Sequence, residues 1–198
     1  MTPFVRFIAL LLAVVAPLGA AQLPFSGYSY SVAPDPGYPD SGGELIDGTA
    51  NGPAWPTFPL VLSDVAYLSG WFGVNSTITF NFAAPVTINS VSAFFADSNG
   101  AAGVGLPSTV TLGDGAGFSQ LFNVTDPSFS GSTVESVFDG FAITTNTLTL
   151  TFSPVYQWTM LSEVRAFNTT AIPEPATTTL ALGAAALGLV AYGRRKRA

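Results

Sequence analysis

The sequence predicts an all-β domain, an antiparallel jelly-roll β-sandwich, flanked by an apolar helix at each terminus. Three observations carry this prediction. Segments 76–82 and 147–152 alternate strictly between apolar and polar residues. Turn signals recur at short intervals, and no stretch between residues 22 and 170 keeps the apolar spacing of a helix. Many short strands separated by turns close into two packed antiparallel sheets.

Taken in order, the elements begin with a signal peptide over 1–21. Arg6 supplies a positive start, 7–15 is a short apolar run, Pro17 interrupts it, and Gly19-Ala20-Ala21 offers small residues for cleavage before Gln22. The domain then runs from 22 to 170. Strands are predicted at 28–32, 76–82, 90–95, 109–112, 118–124, 138–144, 147–152 and 160–167. In 76–82, Ile78, Phe80 and Phe82 share one face and Thr77, Thr79 and Asn81 the other. In 147–152, Leu148, Leu150 and Phe152 oppose Thr147, Thr149 and Thr151. Asp97-Ser98-Asn99-Gly100 and Asp114-Gly115 mark turns.

The last segment, 171–198, has a different character. Pro173-Glu174-Pro175 holds the backbone extended. Residues 176–193 carry no charge, and Arg194, Arg195, Lys196 and Arg197 follow. As a helix, 176–193 reaches about 27 Å at ~1.5 Å per residue, enough to span a thin bilayer. The basic end belongs on the cytoplasmic side, which puts the domain outside. This three-part pattern resembles the PEP-CTERM sorting signal of Gram-negative bacteria. The resemblance implies an exosortase-like processing enzyme as partner. It also implies inner-membrane anchoring before processing, and a later place at the cell surface or in the extracellular matrix.

Composition narrows the function. Of the six Lys and Arg, only Arg165 lies in the domain, which has no lysine and no histidine. Eleven carboxylates against that single arginine leave the domain at a net charge of −10. Such a surface lacks the clustered cations that phosphate contacts need, so nucleic acid is excluded as a partner. The absence of histidine and cysteine removes Cys–His and Ser–His–Asp catalysis and the usual zinc ligands. Gly113-Asp114-Gly115-Ala116-Gly117 lacks the lysine of a phosphate loop. Without disulfides, the core alone must hold the fold. The expectation is a protein without enzymatic activity.

Two blocks narrow the sandwich further. Gly43-Glu44-Leu45-Ile46-Asp47-Gly48-Thr49 precedes Trp71 and the 77–82 strand, and 147–152 precedes Trp158 and Leu161-Ser162-Glu163-Val164. This order resembles the discoidin-type, galactose-binding-like jelly roll, over about residues 28–168. The resemblance implies a structural calcium on Asp47, Thr49 and Glu163, with Glu44 and the Ser162 carbonyl as weaker ligands. An all-oxygen set suits that hard cation. Arg165 offers an alternative partner for Glu163, because i and i+2 share a strand face. The resemblance also implies ligand binding by loops at one end of the sandwich. There the chain departs from the sugar-binding pattern of arginine, histidine and an aromatic. Its candidates are Trp55, Tyr156 and Trp158, whose rings can stack on a pyranose. The sequence thus predicts an exported, surface-targeted binding module for polysaccharide or matrix components. The alternative is a structural matrix or adhesion protein with no glycan site.

Overall fold

The structure is a computed structural model that describes residues 20–41, 43–51, 67–127 and 131–168. The sandwich is the compact unit Ala21–Asn168. The expected signal helix, the helix over 176–193 and the basic end lie outside the described residues, as does Trp55. No helix among the described residues is long and apolar enough to cross a membrane.

Ten strands make the unit: β1 (Ala21–Leu23), β2 (Gly27–Tyr30), β3 (Ser69–Phe72), β4 (Thr77–Ile88), β5 (Ser90–Ala96), β6 (Thr109–Gly113), β7 (Ser119–Asn123), β8 (Thr133–Phe138), β9 (Ile143–Ser153) and β10 (Trp158–Asn168). They form two five-stranded sheets with every ladder antiparallel. The first runs β1-β10-β5-β8, with β3 also pairing β10; the second runs β2-β4-β9-β6-β7. β1 and β3 share one edge of β10, β1 along 166–168 and β3 along 158–161.

The apolar faces read from sequence are the core. Ile78, Phe80 and Phe82 of β4 and Leu148, Leu150 and Phe152 of β9 are buried, packed with Trp71, Phe95, Phe138 and Val164. Burying such side chains contributes about 1.5–3 kcal/mol each, before the opposing chain entropy. The threonines of β4 and β9 face outward and pair across the ladder, as in Thr77 with Thr151 at 2.7 Å.

Several elements differ from the prediction. Segment 138–144 is not one strand: β8 ends at Phe138, Asp139-Gly140 turns with Gly140 at φ +79°, and β9 starts at Ile143. The predicted start of the 28–32 strand holds, but Ser31 and Val32 bend away. β4 runs on to Ile88 past Pro85, with its register against β9 shifting between Asn81 and Val86, an irregularity that lets the strand accept a proline. β1 and β3 fall outside the predicted strands, being only three and four residues long. Ala21, the last residue of the expected signal peptide, opens β1 opposite Asn168.

Candidate functional site

The first candidate is the loop after Ile46, where it meets β10. A bulge positions this meeting. Register against β5 shifts between Leu161 and Glu163, so Leu161 and Val164 both face the core and Glu163 turns to the other side. Ser162 reaches the Ala50 carbonyl at 2.9 Å, and the Thr133 hydroxyl donates to the same oxygen at 3.0 Å. Glu163 is only 1% exposed. Its Oε2 accepts from the Gly48 N–H at 3.0 Å and its Oε1 from Arg165 Nε at 3.4 Å. Arg165 Nη2 donates to the Gly48 carbonyl at 3.3 Å, and its guanidinium lies 5.0 Å from the Phe94 ring centre. Burial pushes the Glu163 carboxyl above its ordinary range, against the pull of Gly48 N–H and Arg165.

The Asp47 charge acts on Glu163. Asp47 Oδ1 accepts from the Thr49 N–H at 2.7 Å. Glu44 is turned elsewhere: its Oε1 accepts from the Ser41 N–H and hydroxyl, each at 2.9 Å. Next to it, Asp40 accepts from Tyr28 and from the N–H groups of Gly43 and Glu44. The donor set of the loop is all oxygen, which suits calcium. Yet no group of three or more acidic side chains converges among the described residues. The positive charge beside Glu163 and the Gly48 carbonyl is the Arg165 guanidinium, so the set fits a metal only after that side chain leaves.

The second candidate is aromatic. Trp71 points into the core, so alternation turns its neighbour Phe72 outward, where it stays 50% exposed. Phe72 pairs with Trp158 across β3 and β10, their ring centres 4.9 Å apart. Tyr38 also meets Trp158 edge-on, with ring centres 5.1 Å apart. It packs over Gly70, where a Cβ would lie 3.0 Å from Tyr38 Cβ. The three rings make a strip over a small second core of Leu68, Ala96, Val104 and Met160, with Tyr38 and Trp158 half-buried against it and Phe72 the exposed member. Tyr156 is not part of it. Its ring is wedged against Gly100 and Gly105, where added Cβ atoms would lie 2.5 and 2.3 Å away. Of the two predicted ligand residues among the described residues, Trp158 lies in this aromatic cluster and Tyr156 does not. Phe72 and Tyr38 escaped the sequence reading, although the Trp71-Phe72 alternation held the signal for the first.

Comparison with known proteins agrees with both parts of the chain. Residues 171–197 match the PEP-CTERM protein-sorting motif. No curated protein matches the chain. The fold is similar to that of the lectin binding domain of lectinolysin complexed with Lewis b, at 12% identity and TM-score 0.55, covering 78% of this chain and 100% of that one. A Streptococcus pneumoniae fucose binding module is similar at 14% identity and TM-score 0.53, covering 76% and 97%. The family 32 module of C. perfringens NanJ in complex with galactose is similar at 11% and 0.51, covering 76% and 100%. The tail carries the sorting motif and the sandwich has the galactose-binding-like fold.

Proposed function

We propose that the chain is an exported, non-catalytic glycan-binding module of a Gram-negative cell surface, delivered by its sorting tail. Phe72 carries this reading. A half-exposed ring, set edge-on to Trp158, which Tyr38 packs in turn, gives up burial and gains a preformed face for a sugar ring. The sugar-bound neighbours of the same fold support the ligand class. Glycan-array binding by the full-length chain should be strong for wild type and lost in Phe72→Ala. Equal binding by the two proteins would sink the assignment.

Processing by an exosortase-like enzyme at the tail, after anchoring through 176–193, belongs to the same proposal. A mass spectrum of the mature protein should begin at Gln22 and lack the basic end. A mature chain that still ends at Ala198 would reject processing. Calcium enters the proposal as a competitor of Arg165 for Glu163, with Asp47 and Thr49 as co-ligands. Calcium should raise the melting temperature of Arg165→Ala more than that of wild type, and equal shifts would reject the site.

The structural, matrix-forming alternative has its own observation. Leu121 of β7 and Val137 of β8 are 64% and 56% exposed, on strands that end the two sheets among the described residues. Concentration-dependent self-association abolished by Leu121→Lys, without any glycan binding, would favour it.

A further inference from the structure

Resting on the glycan reading, we propose that the aromatic strip selects glycans bearing free amines over uronate polymers. The basis is charge around Trp158. The domain's single cation, Arg165, lies far along the same strand, roughly 23 Å away at ~3.3 Å per residue. It is engaged there by Glu163, Gly48 and Phe94. No lysine or histidine exists between residues 22 and 170. A uronate laid on the strip would therefore meet no positive partner within the domain.

The charge beside the strip is negative. Asp35 docks its turn on β3, donating its N–H to the Gly70 carbonyl at 2.8 Å, two residues before Phe72. Its carbonyl accepts from the Tyr38 N–H at 2.8 Å. Asp35 Oδ1 accepts from the Gly37 N–H at 2.8 Å. The Asp35 charge also acts on the Tyr38 phenol, whose pKa is pushed up by burial first and by this carboxylate second. An ammonium over the exposed Phe72 face gains from the ring quadrupole as well as from the Asp35 charge, whereas a neutral acetylated amine lacks both charge terms.

The test uses three hexasaccharides with the full-length chain: glucosamine, its N-acetylated form and mannuronate. Measurements run at about pH 5.5, above the ordinary carboxylate range. Glucosamine hexamer should bind roughly fivefold tighter than the acetylated one, in line with an exposed cation–π contact aided by a carboxylate. Added salt should narrow that gap. Asp35→Asn should reduce it to about twofold while leaving the acetylated hexamer unchanged. Mannuronate bound as tightly as glucosamine, or a preference untouched in Asp35→Asn, overturns the selectivity while Phe72-dependent binding keeps the glycan reading. Absence of binding to all three, with Phe72-dependent binding elsewhere on the glycan array, overturns the selectivity alone; an array blank throughout overturns both.

Discussion

Arg165 does at the residue scale what a metal does in a crowded acidic loop. It neutralises Glu163, holds the Gly48 carbonyl and covers Phe94. Arg165→Ala leaves Glu163 buried with the Gly48 N–H alone, and should cost about 2 kcal/mol in urea denaturation. A change below about 0.5 kcal/mol would show that solvent already screens the pair. The Glu163–Arg165 contact was legible from their spacing on one strand face. The bulge at Ser162, which turns both toward the loop, was not, because an extra residue leaves the apolar pattern nearly intact. Asp40 makes a second residue-scale case. Burial first, then the neighbouring Glu44 carboxyl, raises its pKa above the ordinary value. The unfolded chain loses this proton near about pH 3.9 while the folded state keeps it to higher pH. Its contribution to stability is therefore full below that value and lost as pH rises through the folded pKa. Asp40→Asn should flatten the fall in stability as pH rises above the ordinary carboxylate range, leaving the part due to Glu163; an unaltered slope would reject this.

At the scale of elements, strands were legible where one face is buried and the other wet. β4 and β9 show this, with phenylalanine and leucine against threonine. β1 and β3 were hidden because each is too short to show a period and finds its place only by pairing with β10. The 138–144 prediction failed because Asp139-Gly140 is itself a turn signal inside an apolar run. The loop 97–108 bridges β10 through Val104 and Trp158 and is packed by an aromatic plug, since Tyr156 fills the space left by Gly100 and Gly105. Gly105→Ala should destabilise the fold by about 1–3 kcal/mol through overpacking. In a Tyr156→Ala background the same change should be nearly neutral, so a double-mutant cycle with no coupling would reject the plug.

For the whole molecule, the two ends of the sandwich do different things. Ala21 pairs with Asn168, so both termini of the unit leave from the closing end of β10. Trp158 opens the same strand at the other end, beside the 154–157 loop, which is tied to the loop after β3 by the Gly73 N–H donating to the Gln157 carbonyl at 2.7 Å. Asn168 and the aromatic strip thus stand at opposite ends of β10. The chain has no cysteine, so one introduced thiol gives a unique attachment point for a bulky polymer. Val155 and Leu121 are both well exposed, and neither substitution to cysteine disturbs the core. A label on Val155→Cys should abolish glycan retention by masking the strip, while the same label on Leu121→Cys should leave it intact. Retention blocked only from Leu121 would move the glycan-binding surface to the β7 edge.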